Sequence, residues 1–313
     1  MRGQQNCHAR PLHSVSDETA HVLDRPGVRL HYRRTPRRAG PAVVLLHGLA
    51  SNLTRWSEFV AATSLRQQAQ LIRLDLRGHG DSDTRGRVGL EAWSDDLIAL
   101  LDAEAQPQAV LVGHSLGAQV ALHCAAHHPG RVRALVLIDP VFRAALRGRW
   151  RLMAAAGPLF ALAATAVRGA NAVGLRRRQL APLDLEALDR QARIALQSPA
   201  AEAEFIRQYS STRADLRSFR SAHYLQELVE LFRPLPPPAS YAQPMLVLLS
   251  TGATFAALAA TRSIAAGFPH GRVQTIDCHH WPLTERPFEV RQAIEGFVAP
   301  NIGPYPAATP ALR

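Results

Sequence analysis

Short apolar runs punctuate the chain between residues 28 and 276. Residues 42–46 form an unbroken run, as a strand buried on both faces requires. Runs at 71–74, 109–112, 135–138 and 245–249 have the same character. Residues 273–276 give a weaker one, and 28–32 reads as an edge strand. Segments with helical spacing lie between the runs, at 56–64, 90–103, 116–127 and 287–298. Strand and helix in alternation predict the α/β class, a doubly wound and mostly parallel sheet with helices on both faces.

The alternation stops between residues 141 and 243. There the pattern is helical and rich in Ala and Arg, and it closes on Pro234, Pro236, Pro237 and Pro238. This predicts an inserted helical cap with a stiff return linker. The expected organisation is a loose N-terminal arm at 1–24, a core from 25–140 and 244–300, a cap at 141–243 and a flexible tail at 301–313. The apolar centre of the cap, 153–167, is interrupted by Gly157 and Pro158 and is too short to cross a bilayer. No internal repeat is present.

Composition narrows the classes. Of 313 residues 47% are apolar and only 19% charged, which excludes wholesale disorder. The 36 basic residues exceed the 25 acidic ones by 11, but all are Arg, none is Lys, and they are spread along the chain. With Ala and Leu also abundant, this points to compositional bias rather than phosphate contacts. No recognition motif accompanies the charge, so no nucleic-acid partner is expected. Cys7, Cys124 and Cys278 offer neither a disulfide framework nor metal spacing, and fit a reducing cytoplasm. Asp17 and Glu18 interrupt an N-terminal stretch that lacks the apolar core of a secretory signal.

The chemistry concentrates in a few turns. Gly113-His114-Ser115-Leu116-Gly117 lies between the strand at 109–112 and the helix at 116–127. Such a turn thrusts a Ser hydroxyl out at the C-terminal edge of the sheet, beside the positive end of the following helix. Taken alone it is also a Gly-flanked turn with a helix-capping Ser. Three further motifs succeed strands: His47-Gly48-Leu49; Asp75-Leu76-Arg77-Gly78-His79-Gly80-Asp81-Ser82; and Cys278-His279-His280-Trp281-Pro282, with Glu285-Arg286-Pro287 after it. Together, over roughly 27–140 and 243–299, these resemble the α/β-hydrolase superfamily.

The resemblance implies a nucleophile at Ser115 and a general base at His280, with His279 a neighbour. It implies an oxyanion hole from the backbone N–H groups of Leu49 and Leu116. His47 and His79 are expected to be structural, through hydrogen bonds to backbone, and His114 to point away from the site. The acid departs from the family pattern. The loop after 245–249 runs Ser250-Thr251-Gly252-Ala253-Thr254-Phe255 and holds no carboxylate. Asp139, at the end of the strand at 135–138, is the candidate replacement, and the order Ser115, Asp139, His280 is the family's. A turn-capping role for Asp139, with a Ser–His dyad, is the competing reading. Asp75 is expected to pin its own loop with help from Arg77, and Asp277 to be structural.

A Ser nucleophile argues against the branches that attack with Asp. No metal or organic cofactor is expected. The resemblance implies a serine hydrolase that cleaves an ester, lactone or thioester of a small apolar substrate through an acyl-enzyme. The alternative is a lyase or binding protein that keeps the fold with a degenerate triad. Arg143, Arg147, Arg149 and Arg151 flank the apolar cap stretch and Arg176, Arg177 and Arg178 follow it, a pattern also suited to lying on anionic lipid.

Overall fold

The computed structural model describes residues 17–175, 180–195, 205–207, 209, 211–252 and 255–303. Eight strands form one sheet: β1 (Thr19–Arg25), β2 (Val28–Arg34), β3 (Ala42–Leu46), β4 (Leu71–Leu74), β5 (Ala109–His114), β6 (Val132–Ile138), β7 (Met245–Ser250) and β8 (Gly271–Ile276). Their spatial order is β1-β2-β4-β3-β5-β6-β7-β8. β1 and β2 are antiparallel to their neighbours, and β3 through β8 run parallel.

The unbroken apolar runs are explained by burial from both sides. Along β3, Val43 and Leu45 face one core, while Ala42, Val44 and Leu46 face the other. One face is covered by α1 (Ser57–Ala62) together with a C-terminal helix, Pro287–Val298. The opposite face is covered by α2 (Leu90–Ala103) and α3 (Leu116–His127). Chain order reverses at β3, whose neighbours are β4 and β5. The ends of β3 and β5 therefore flank a crevice of the kind in which open α/β sheets bind ligands.

Between β6 and β7 the chain forms α4 (Gly148–Ala155), α5 (Gly157–Ala172), α6 (Leu185–Ala195), α7 (Thr212–Ser218) and α8 (Ser221–Leu231). α5 packs along α8, and α8 reaches down to α3. No single helix among the described residues is long and apolar enough to cross a membrane.

The expected loose arm needs correction over its last residues. Thr19–Arg25 is a full strand paired along its length with β2. Its side chains are mostly exposed, so no buried face marked it in the sequence. Glu18, read as an interruption, forms a two-pronged ion pair with the buried Arg73 at 2.5 and 2.6 Å. Residues 1–16 lie outside the described residues. At the other end Ile302 is buried, and 304–313 lie outside the described residues.

Candidate active site

Ser115 sits on the turn from β5 to α3 with φ 52° and ψ −111°, a conformation that L-residues rarely adopt. Its N–H donates to the Ile138 carbonyl at 2.9 Å, tying the turn to the end of β6. The flanking glycines are required by close backbone approach. A Cβ on Gly113 would lie 2.3 Å from the Gly117 oxygen, and one on Gly117 would lie 2.4 Å from the Leu46 oxygen. Small residues at both positions let α3 settle against β3 and β5 and hold the hydroxyl upright.

His280 stands across from it. Its Nε2 is 3.2 Å from Ser115 Oγ, and its Nδ1 is 3.2 Å from Asp139 Oδ2. Asp139 comes directly after β6, is nearly fully buried, and takes a positive φ of 46°. Its N–H donates to the Leu248 carbonyl, which seats it against β7. There Ser250 serves it twice, donating from its backbone N to Oδ1 (2.7 Å) and from its hydroxyl to Oδ2 (2.6 Å). The structure thus brings together all three side chains that the sequence singled out. Phe255 packs edge-on against the His280 ring, with centroids 4.4 Å apart.

The two expected oxyanion donors sit on turns next to Ser115. Leu116 is the first residue of α3, where a backbone N–H has no intrahelical acceptor. Gly48 brings the Leu49 turn close: a Cβ there would sit 3.4 Å from Ser115 Cβ. His47 fixes this turn. It accepts from the Leu76 N–H through Nε2 (3.1 Å) and donates from Nδ1 to the Gly48 carbonyl (3.0 Å). Burial, with the charge of His79 next, holds its pKa well below 6.5, so it keeps this tautomer.

A cavity of about 400 Å³ lies above Ser115 and His280. Its lower wall includes Gly48, Leu49 and Phe255. Its upper wall comes from the inserted helices, among them Trp150, Met153, Leu185, Phe219 and Leu228. The lining is mostly apolar, and its polar members include Arg55, Ser115, Arg149, Asp215 and His280.

A sequence model described as the alpha/beta hydrolase fold matches residues 41–287. The chain belongs to the α/β-hydrolase fold family. It is 27% identical over 260 residues to the sn-1-specific diacylglycerol lipase ABHD11 of Mus musculus, covering 83% of this chain and 81% of that protein. A thermophilic esterase from Thermogutta terrifontis superposes with a TM-score of 0.66 at 23% identity, over 91% of this chain and 99% of that one. The enol-lactonase from Burkholderia xenovorans LB400 gives 0.64 at 21% identity, over 89% and 100%. At these identities the structural likenesses speak to the fold, and the α/β-hydrolase assignment is what they share.

Several α/β-hydrolase site contacts were not legible in the sequence. His114 does not point away. It is buried, and its Nε2 donates to the His280 carbonyl at 3.1 Å, bracing that residue's backbone. Burial, then the neighbouring His280, pushes its pKa down to about 3, so it stays neutral. Glu285 gathers the His loop by accepting from the His279 and Trp281 N–H groups (3.0 and 3.3 Å) and contacting His279 Nδ1 at 2.9 Å. Only its spacing from His280 hinted at this.

Arg77 does not help Asp75. It forms a forked pair with Asp96 at 2.6 and 2.8 Å, while Asp75 accepts from the Leu53 and Asp81 N–H groups. Asp277 accepts from the Thr251 hydroxyl, away from the ring nitrogens of His280.

Two buried ion pairs bind the inserted helices to the core. Arg55 meets Asp189 of α6 at 2.6 Å, with Tyr209 and Thr284 also on that carboxylate. His79 meets Glu227 of α8 at 3.2 Å, both side chains being fully buried. His79 was expected to bond to backbone, as it does at Arg77, but not to a carboxylate. Its carboxylate partner lies 148 residues away in sequence, too distant for any local pattern to reveal.

Proposed function

We propose that this protein is a serine hydrolase that cleaves an ester, lactone or thioester of a small apolar substrate through an acyl-enzyme on Ser115. The observation that carries this reading is the alignment of Ser115 Oγ, His280 and Asp139 at hydrogen-bond distances beneath an apolar cavity.

In this mechanism Ser115 Oγ attacks the carbonyl carbon as His280 Nε2 takes the hydroxyl proton. Asp139 accepts from His280 Nδ1–H, fixing the tautomer and stabilising the imidazolium. Negative charge gathers on the carbonyl oxygen, which the Leu49 and Leu116 N–H groups receive. The imidazolium protonates the leaving oxygen or sulfur as the acyl–heteroatom bond breaks. Water then enters, loses a proton to Nε2 and attacks the acyl-enzyme. Ser115 Oγ leaves as an alcohol with that proton, and the free acid departs. His114, through the His280 carbonyl, and Glu285, through the His279 and Trp281 N–H groups, act as positioning residues. The apolar upper wall favours hydrophobic acyl groups.

A fluorophosphonate probe tests the covalent step. The expected result is a phosphonyl adduct on Ser115 by peptide mass spectrometry, with a graded rate across aryl esters of increasing acyl length. An adduct elsewhere, or none alongside a folded protein, sinks the reading. An adduct without turnover of any ester, lactone or thioester would keep the nucleophile and refute the substrate class.

A further inference from the structure

The outer surface of the α4–α5 pair is unusual for a protein exterior. Five of the seven large apolar side chains that stand exposed among the described residues lie here: Leu152 (72%), Leu159 (68%), Leu162 (68%), Val173 (77%) and Leu175 (74%). Between them the exposed positions of α5 are Pro158, Ala161, Thr165, Ala166, Gly169 and Ala172. Only Thr165 is polar, and its hydroxyl is turned back onto the Ala161 carbonyl. Contiguous apolar surface of this kind marks an interaction site.

The segment that carries this face is charged with one sign. Residues 141–175 contain Arg143, Arg147, Arg149, Arg151 and Arg168 and no Asp or Glu. The first four are exposed, and no ion pair joins them to a described carboxylate; Arg149 lies over the Trp150 ring beside the cavity. Elsewhere on this chain Arg is routinely paired, as Arg55, Arg73, Arg77 and Arg220 are.

We propose that this face docks on an anionic lipid bilayer, with the leucines entering the acyl boundary and the arginines meeting headgroup phosphates and carboxylates. The chemistry favours this occupant over a second copy. A two-fold contact through this patch would set unpaired arginines against their own images, with no carboxylate in the segment to offset them. The patch also lacks the hydrogen-bonding groups and the exposed aromatic anchors typical of protein interfaces. A net charge of +11 adds long-range attraction to an anionic leaflet.

The two sides of α4 serve different purposes. Leu152 faces outward, while Trp150 and Met153 face the cavity above Ser115. A docked molecule therefore receives membrane-borne acyl esters beside its site, a consequence that rests on the ester-hydrolase reading as the docking itself does not.

The test is co-flotation of the full chain with vesicles of phosphatidylcholine alone or mixed with phosphatidylserine. Binding to the mixed vesicles is expected, and little to the neutral ones. An arginine near an anionic surface contributes about fivefold in partitioning, so Arg143→Gln/Arg147→Gln/Arg151→Gln should weaken binding about a hundredfold. Raising salt from about 0.1 M to about 1 M should release the wild type, as the Debye length shrinks from about 10 Å to about 3 Å. Leu152→Gln/Leu159→Gln/Leu162→Gln alters only exposed positions and should also lose binding, tenfold or more. Circular dichroism and fluorophosphonate labelling in vesicle-free solution should be unchanged in both variants, separating this proposal from the fate of the catalytic one. Absence of flotation with anionic vesicles overturns the proposal. So does flotation that survives both variants, or a wild-type dimer in solution that the leucine variant alone dissolves.

Discussion

Replacing Asp139 by Asn removes one charge and almost no volume, and the surrounding contacts dictate its effect. Oδ1 of the new amide still receives the Ser250 N–H, at 2.7 Å in the native protein. The other position, where Oδ2 stood, becomes an N–H₂ group facing the Ser250 hydroxyl and His280 Nδ1, both of which donate to it in the native protein. The Ser250 hydroxyl can rotate and accept instead. His280 can adapt only by moving its proton from Nδ1 to Nε2, where it points at Ser115 and blocks the base. The cost to folding is that of about one hydrogen bond, roughly 1 kcal/mol. The cost to catalysis is much larger. The same change in the serine-protease template costs about 10⁴ in turnover, and the 3.2 Å contact here supports a loss of about 10² to 10⁴. That corresponds to about 2.7–5.4 kcal/mol of barrier. The assay pairs kcat/KM on an aryl ester with a thermal melt, and with the rate of fluorophosphonate labelling at fixed pH. A variant that melts several degrees lower yet turns over within about tenfold of wild type would refute the reasoning. Asp139 would then be a strand-end cap, and Ser115 and His280 would work as a pair.

The His79–Glu227 pair predicts a pH signature. Burial pulls the His79 pKa down, but Glu227 outweighs it and sets the folded value above 6.5; burial pushes Glu227 up, but His79 outweighs it and sets that value below 4.5. The stabilisation is therefore full between about 4.5 and 6.5. It is lost as pH rises through the folded His79 value, or falls through the folded Glu227 value. Glu227→Gln should lower stability by about 3 kcal/mol and flatten the decline of the melting temperature above pH 6.5. Equal slopes for variant and wild type would refute this. Gly117→Ala would place a Cβ 2.4 Å from the Leu46 oxygen and 2.6 Å from the His47 oxygen. A melt lowered by roughly 1–3 kcal/mol equivalents or more and a turnover loss above about tenfold are expected as α3 lifts off β3. Unchanged kinetics would show that the turn tolerates the shift.

Legibility in the sequence tracked locality. Strands buried on both faces announce themselves as unbroken apolar runs, so β3, β5 and β7 were readable, as was β4 despite Arg73, whereas β1 shows mostly exposed side chains and looked like an arm. Ser115, Leu116, Leu49 and His280 sit in short motifs whose neighbours carry the signal. Asp139 was reachable because the β7 loop lacked an acid and β6 ended in one. The hidden features were pairwise and distant: His79 with Glu227, Arg55 with Asp189, and Ser250 with Asp139. A buried charge in a sequence names no partner, and the chain closes such pairs only through the fold.

Placing the carboxylate after β6 leaves the loop after β7 with no proton to manage. Its Phe255 lies instead against the imidazole and along the cavity wall. The loop thus meets the imidazole through an apolar ring rather than through a charge. A change at Phe255 would therefore reshape the cavity wall and the packing of the imidazole together.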